Sequence, residues 1–178
     1  MATRRPWIPA ISFVLLGSAL LLAQTKNDLV QAHLKSLFPA AVSFSAKEAL
    51  PVPHFKAFGP PDAKGQPQLL GLAFYTTELE PLERGYDGPV KMLVGLDTRG
   101  VIAGVVVISH VEPFGKFSVD TPRFAAQFKG KSVKDPFKPG VDIDEVSTAT
   151  ITITHATRAI RKSARRVAVQ MLKPEDAK

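Results

Sequence analysis

The feature that most constrains the fold is an amphipathic pattern near the C-terminus. Small or apolar residues recur there at the α-helical period of about 3.6 residues, at Ala156, Ile160, Ser163 or Ala164, Val167 and Met171. Basic side chains occupy the other face, at Arg158, Arg161, Lys162, Arg165 and Arg166. The pattern predicts a C-terminal helix with one apolar face.

A run rich in hydroxyl side chains leads directly into this helix. It reads Asp144-Glu145-Val146-Ser147-Thr148-Ala149-Thr150-Ile151-Thr152. Thr150, Thr152 and Thr154 therefore fall around the helix N-terminus, where unpaired backbone N–H groups and the helix dipole favour a phosphate group. A strand that runs into a Thr-capped helix would give a similar pattern without any ligand. Spacing alone leaves both interpretations open.

The N-terminus carries a membrane-targeting pattern. Arg4 and Arg5 precede an uncharged apolar run from Trp7 to Ala23, which suits either a membrane anchor or a secretion signal. We expect an uncleaved anchor, because cleavage after Ala23 would place Leu21 where a small residue is usual. By the positive-inside rule, a bacterial inner-membrane anchor then places the soluble domain in the periplasm or at the cell exterior.

Composition excludes several classes of function. The chain has no cysteine, so thiolate-bound iron–sulfur clusters are excluded and a redox role requires an organic cofactor. The net charge of +7 would suit nucleic acid. However, aromatic residues are not interleaved with the basic ones as base stacking requires, and we predict no nucleic-acid partner. The histidines show no paired metal-ligand spacing, and no catalytic Ser/His/Asp set is identifiable, so we predict neither a metal site nor a hydrolase.

Local patterns predict an α+β domain with a central, mainly antiparallel sheet flanked by helices. Strands are expected over 69–77, 90–96 and 101–109, the last two as a hairpin, with residues 105–108 buried on both faces. Short helices are expected over 28–38 and 122–128, and loops over 51–67 and 136–140.

The predicted organisation has four parts. They are an anchor or signal over 1–24, a helix with a Pro/Gly-rich linker over 25–64, the main domain over 65–172 and a tail over 173–178.

The hydroxyl run resembles the D-x-x-S-G-A-T-x-T motif of FMN-binding domains. Such domains occur in the G component of Rnf electron-transfer complexes, in the C component of the sodium-translocating NADH:quinone oxidoreductase and in NosR/NirI-type proteins. The matching cofactor-site positions are Asp144, Ser147, Ala149, Thr150 and Thr152. In that family the last threonine carries FMN through a phosphoester installed by a separate flavin transferase. The resemblance therefore implies Thr152 as the attachment residue.

One position departs from the family motif, since Thr148 stands where the family usually has glycine. Glycine tolerates positive φ and β-branched threonine does not. If the family geometry needs that conformation at this cofactor-site position, noncovalent FMN binding, or none, is the alternative to covalent attachment.

Further segments follow the order found in these domains, over roughly residues 65–170. They are residues 70–75, 85–90, 94–97, 100–105, 110–113 and 124–131. The Gly-Tyr-x-Gly-Pro and His-x-Glu-Pro details resemble the NosR/NirI branch most. In the family the loop after the last strand approaches the flavin, so the resemblance implies Glu112 as a further contact.

The resemblance implies a membrane-anchored, outward-facing FMN protein that transfers electrons between partners in a membrane redox complex. It would be a component of such a complex rather than a self-contained enzyme, and a flavin transferase would be a second partner. Arg158, Arg161 and Lys162 are candidates for offsetting phosphate charge, or else solvated surface. The alternatives are a NosR/NirI-like regulatory or assembly module, with FMN held noncovalently or absent, and a flavin-free exported interaction domain.

Overall fold

The computed structural model describes residues 24–25 and 27–172. The apolar run over 7–23, on which the predicted anchor or signal over 1–24 depends, and the tail over 173–178 lie outside the described residues. In the part of the chain that is described, no helix combines the length and apolar character needed to span a bilayer. A compact unit starts at His33, and the fold below is that of this unit.

The unit is built on a five-stranded antiparallel sheet whose strands follow chain order. The strands are β1 (Ser43–Phe44), β2 (Phe55–Pro61), β3 (Pro67–Tyr75), β4 (Lys91–Asp97) and β5 (Ile102–Ser109). The predicted hairpin between β4 and β5 is confirmed. Its turn is closed by Asp97 Oδ1, which accepts hydrogen bonds from the amides of Arg99 at 2.9 Å and Val101 at 2.8 Å.

Helices cover both faces of the sheet, as predicted for an α+β domain. Within the unit they are α1 (residues 33–37, the end of a helix described from residue 27), α2 (Thr76–Leu79), α3 (Pro122–Ala126) and α4 (Thr150–Met171). Thr121 caps α3 by accepting a hydrogen bond from the Phe124 amide at 3.2 Å, and Pro122 occupies its first turn.

Strand alternation assigns the two faces of the sheet. Phe74 and Val94 point into the core that includes Ile160 of α4, which is fully buried. Gly71 and Gly95 point to the opposite face, where an added Cβ would lie 2.7 Å and 3.2 Å from the Phe38 ring. The glycines thus allow the aromatic ring after α1 to pack directly on the strands.

The prediction of a loop over 51–67 is wrong, because β2 lies within that range. Phe55, Ala57 and Gly59 are buried and alternate with partly exposed residues, which is the period of a half-buried strand. The prolines responsible for the loop prediction, Pro60 and Pro61, lie at the exposed end of the strand, where proline is tolerated.

The prediction that residues 105–108 are buried on both faces is also wrong. Val105 is buried, but Val106, Val107 and Ile108 are partly exposed. The reason is that β5 is the last strand of the sheet formed by the described residues, so one side of it lacks a neighbouring strand. In this protein, therefore, a continuous run of β-branched residues forms an edge strand and not a strand buried on both faces.

Candidate functional site

The hydroxyl run ends in a helix start that no side chain caps. Ser147–Ala149 form a 3-10 turn, and Ala149 is the N-cap of α4, with φ −137° and ψ 29°. The Thr150 hydroxyl instead contacts the carbonyl oxygens of Val146 at 3.5 Å and Ser147 at 3.4 Å. The capped-helix interpretation requires a side-chain acceptor at this position, and the described residues supply none. The first turn of α4 thereby remains suited to an anion.

A cleft of about 350 Å³ opens at this helix start. Its lining comes from three segments: the loop before β4 with Tyr86, the loop after β5 with Pro113 and Phe114, and the run from Ser147 to Thr152. The volume lies in the range of small-molecule sites, about 300 to 1,000 Å³. The lining combines two aromatic side chains with a run of hydroxyl-bearing residues, which suits a ligand with a flat apolar part and a polar end.

The structure brings most of the predicted site residues together. Five of them line the cleft: Ser147, Thr148, Ala149, Thr150 and Thr152. Glu112 is in contact with Thr152. Asp144 does not line this cleft; its carboxylate binds Arg123 Nε at 2.7 Å beside a second cleft of about 400 Å³. The motif aspartate is therefore tied to α3.

Glu112 is a buried carboxylate held by the 85–88 turn. Its oxygens accept hydrogen bonds from the amides of Tyr86 at 2.9 Å and of Asp87 and Gly88 at 3.0 Å each. The hydroxyl of Thr152 donates a further hydrogen bond to Oε2. Glycine is required at position 85, because a Cβ there would lie 2.6 Å from the Glu112 carboxyl carbon.

The hydrogen bonds to Glu112 determine its charge. Burial by itself raises the pKa of this carboxyl group, but the hydroxyl of Thr152 and the amides of Asp87, Tyr86 and Gly88 outweigh burial and hold the pKa below its ordinary value of 4.5. Glu112 is therefore a carboxylate at neutral pH. Because a carboxylate only accepts hydrogen bonds, Thr152 must be the donor in their contact.

His110 fixes the loop that carries Glu112. Its Nδ1 accepts a hydrogen bond from the Glu112 amide at 3.0 Å, so Nε2 carries the proton donated to Asp120 at 2.8 Å. Gly115 lets the loop pass under the imidazole, since a Cβ there would lie 1.9 Å from the ring. The same loop contributes Phe114 to the cleft.

The basic face of α4 serves a second buried carboxylate. Glu83 contacts Lys162 Nζ at 2.6 Å, His155 Nδ1 at 3.1 Å and Arg158 at 3.8 Å. Burial raises the pKa of Glu83, but the hydrogen bonds from Lys162 and His155 lower it further than burial raises it. Arg161 donates to the Pro136 carbonyl oxygen at 3.2 Å. The candidates for offsetting phosphate charge are thus engaged with protein groups.

Because the pKa values of Glu112 and Glu83 are lowered, we expect the folded protein to lose stability in acid. Both Glu112 and Glu83 have pKa values below 4.5 in the folded protein, so their contribution is complete above that pH and disappears as the pH falls through the folded pKa values. Urea unfolding followed by circular dichroism should give a constant free energy of unfolding from about pH 7 to 5 and a decrease below it. Glu83→Gln should reduce that decrease, and Glu145→Gln, at an exposed position, should not. An unfolding free energy that rises below pH 4.5 in the wild type would contradict this.

Thr148 does not require the backbone freedom of glycine. It lies in the 3-10 turn Ser147–Ala149, and among the described non-glycine residues positive φ occurs at Phe137 alone. A negative φ is compatible with a β-branched side chain. The departure from the family motif therefore imposes no backbone strain at this turn.

Sequence reasoning missed two aromatic residues of the cleft. Tyr86 is 70% exposed and Phe114 is 50% exposed, although both are large and apolar. Each lies beside glycine, in Gly85-Tyr86-Asp87-Gly88 and in Pro113-Phe114-Gly115. An exposed aromatic residue within a glycine-containing loop was the available signal.

This part of the chain matches a known protein family. The family model described as FMN-binding domain matches residues 85–165, from the turn that holds Glu112 through most of α4. This segment is an FMN-binding domain. FMN is its cofactor, and the match confirms the resemblance seen in the hydroxyl run.

The FMN-binding domain is also similar to proteins named as the G component of an ion-translocating oxidoreductase complex. The relative from Aliivibrio fischeri (strain MJ11) is 32% identical over 89 residues, which cover 44% of this chain and 42% of that protein. The relative from Pseudomonas aeruginosa (strain UCBPP-PA14) is 31% identical over 106 residues, covering 52% of this chain and 50% of that protein. The chain spans about half the length of the curated relatives it matches. The preference for the NosR/NirI branch stays a prediction.

Proposed function

We propose that this protein is an electron-transfer flavoprotein whose FMN phosphate is bound at the start of α4 and esterified to Thr152. The observation that carries the proposal is the cleft itself, about 350 Å³ in volume, with Thr152 among its lining residues and an uncapped helix start beside it. Amide groups at a helix start and hydroxyl side chains are the groups that bind phosphate in proteins.

The lining of the cleft supports this proposal for both ends of the FMN molecule. The segment from Ser147 to Thr152 would hold the phosphate, and Tyr86 with Phe114 would flank the flat ring system. Bound FMN supplies one-electron and two-electron redox chemistry, which a chain without cysteine lacks. The protein's own groups would position the cofactor and set its electrostatic surroundings. No described residue group suggests a separate substrate reaction.

Electron transfer within a membrane complex is supported by the relatives from Aliivibrio and Pseudomonas, whose shared name describes an ion-translocating oxidoreductase complex. We propose that this chain likewise contacts donor and acceptor proteins of a membrane redox complex. The apolar run over 7–23 would anchor it in the bacterial inner membrane with the FMN-binding domain facing outward. Covalent attachment suits that location, because a released cofactor is lost outside the cytoplasm.

A second candidate is a regulatory or assembly module that holds FMN noncovalently. The observation that favours it is the burial of Thr152, which is 4% exposed and whose hydroxyl proton is already donated to Glu112. In that case the phosphate would be held by the amides and hydroxyl groups of residues 147–151 without a phosphoester. Flavin released by denaturation would favour this candidate.

The test is flavin loading of the full chain, with and without a co-expressed flavin transferase. With the transferase we expect yellow protein, flavin fluorescence that survives a denaturing gel, and an intact mass increased by FMN less one water. Without it, we expect noncovalent binding when FMN is titrated. A colourless product that does not bind added FMN would overturn the proposed function, and yellow protein that loses all flavin on denaturation would support the second candidate.

A further inference from the structure

Glu112 is a buried carboxylate without an opposite charge. Glu112 is 6% exposed, and it forms no ion pair with any of the described residues. Glu83, which is similarly buried, is surrounded by Lys162, His155 and Arg158. Burial of an anion is costly unless hydrogen bonds or cations compensate it. Glu112 relies entirely on three backbone amides and one hydroxyl group.

Among the described residues, Thr152 provides the single side-chain hydrogen bond to this carboxylate. The 85–88 turn satisfies the carboxylate from one side with the amides of Tyr86, Asp87 and Gly88. The Thr152 hydroxyl meets it from the other side, across 40 residues of sequence. With its proton donated to Glu112, the hydroxyl oxygen keeps two lone pairs available for other contacts, and Thr152 lines the cleft.

We propose that Glu112 is the catalytic residue through which this chain takes part in its own flavin attachment: it orients the Thr152 hydroxyl and accepts its proton. The inference rests on the proposed function, since it concerns the formation of the phosphoester at Thr152. It assigns a chemical role to a residue whose burial alone would suggest a structural one.

The proposed step balances without any change of oxidation state. Thr152 Oγ forms a bond to the flavin-side phosphorus of a flavin dinucleotide, which the transferase presents. The bond from that phosphorus to the bridging pyrophosphate oxygen breaks, and a nucleoside monophosphate leaves with the electron pair. The hydroxyl proton passes to Glu112 Oε2 and from there to solvent.

A carboxylate of low basicity is adequate for this step. The hydrogen bond holds the Thr152 hydroxyl in one orientation and places a proton acceptor on it, and both effects accelerate attack by a hydroxyl group. The three amides keep Glu112 charged and in place before the reaction. They compensate its charge again once the proton has passed from Glu112 to solvent and the ester oxygen of Thr152 can no longer donate a hydrogen bond.

The test compares Glu112→Gln with Glu83→Gln and with the wild type, all as full chains. Purified protein is incubated with transferase and flavin dinucleotide, and attachment is followed by intact mass over time. We expect attachment to Glu112→Gln to be slower by about 100-fold or more, the usual effect of losing a general base. Glu83→Gln, which removes a buried carboxylate that also contacts α4, should stay within about 3-fold of wild type.

Noncovalent FMN affinity and pH dependence separate catalysis from structure. If Glu112 acts on the hydroxyl, Glu112→Gln should bind FMN within about 3-fold of wild type, and its slow attachment should accelerate with pH as solvent base replaces the carboxylate. If Glu112→Gln acquired covalent flavin at the wild-type rate, the inference would be overturned. A parallel loss of FMN affinity and attachment would also overturn it, because that is the pattern of a structural role.

Glu112→Asp provides a second variant that keeps the charge over the 85–88 turn. Its carboxylate is withdrawn from Thr152 by one methylene, so we expect normal FMN affinity with attachment slowed by about 10-fold or more. This variant decides the matter if Glu112→Gln does not fold, and an unchanged attachment rate for it would then overturn the inference. A wild-type chain that never acquires flavin defeats the proposed function instead, so the two failures are distinguishable.

Discussion

Replacing Thr152 by alanine is expected to abolish covalent flavin while leaving noncovalent FMN affinity within about 3-fold of wild type. Alanine has no oxygen to form the ester, but the helix start and the aromatic side of the cleft are unchanged. Intact mass and in-gel flavin fluorescence measure the covalent part, and fluorescence titration with FMN measures the noncovalent part. Thr152→Ser restores a hydroxyl group and should restore attachment.

Two neighbouring threonines serve as matched controls for that result. Thr150→Ala and Thr154→Ala each remove a hydroxyl from the same part of α4, but neither side chain contacts Glu112. Both variants should still acquire covalent flavin. Retained attachment in Thr152→Ala, with loss in Thr150→Ala, would move the phosphoester to position 150 and contradict the assignment.

The second large effect is expected from the aromatic side of the cleft. A variant that combines Tyr86→Ala and Phe114→Ala should bind FMN about 30-fold to 150-fold more weakly, since each aromatic contact contributes about 1 to 1.5 kcal/mol. Both side chains are at least half exposed, so the fold should tolerate their removal. Isothermal titration of the two proteins with FMN measures the difference.

Phe117→Ala is the control for the aromatic pair. Phe117 is 70% exposed, comes from the same loop and lines the second cleft, the one that borders Asp144. If the ring system lies between Tyr86 and Phe114, Phe117→Ala should change the affinity by less than about 2-fold. A large loss in Phe117→Ala with little change in the double variant would place the ring in the other cleft.

The sequence predicted the parts of the site that local patterns determine. The hydroxyl run and α4 are adjacent in the chain, so periodicity located the helix start and its threonines. The β4–β5 hairpin followed similarly from its turn residues. β2 was missed because its prolines suggested a loop, although they lie at the exposed end of the strand.

The remainder of the site depends on contacts between distant segments, which one sequence does not reveal. Glu112 was expected near the flavin from the family resemblance, but its contact with Thr152 depends on packing the loop after β5 against α4. Tyr86 reaches the cleft through the 85–88 turn that binds the same carboxylate. Asp144 belongs to the motif in sequence and yet pairs with Arg123 beside the second cleft.

The contact between Glu112 and Thr152 also joins the loops that form the site. The 85–88 turn, the loop after β5 and the start of α4 are joined through one carboxylate, so the cleft walls are held by hydrogen bonds as well as by core packing. The sheet and the buried stripe of α4 supply the rigid base on which these loops rest. Such an arrangement leaves aromatic residues exposed at the rim, where a cofactor can cover them.

The attachment of FMN at the start of α4 is tested most directly by peptide mass spectrometry. The full chain, co-expressed with a flavin transferase, is digested, and the fragment that spans residues 141–158 is sequenced by fragmentation. We expect this fragment to carry the mass of FMN less one water, on Thr152. An unmodified fragment from a protein that retains flavin after denaturation, with the flavin on a peptide elsewhere in the chain, would contradict this expectation.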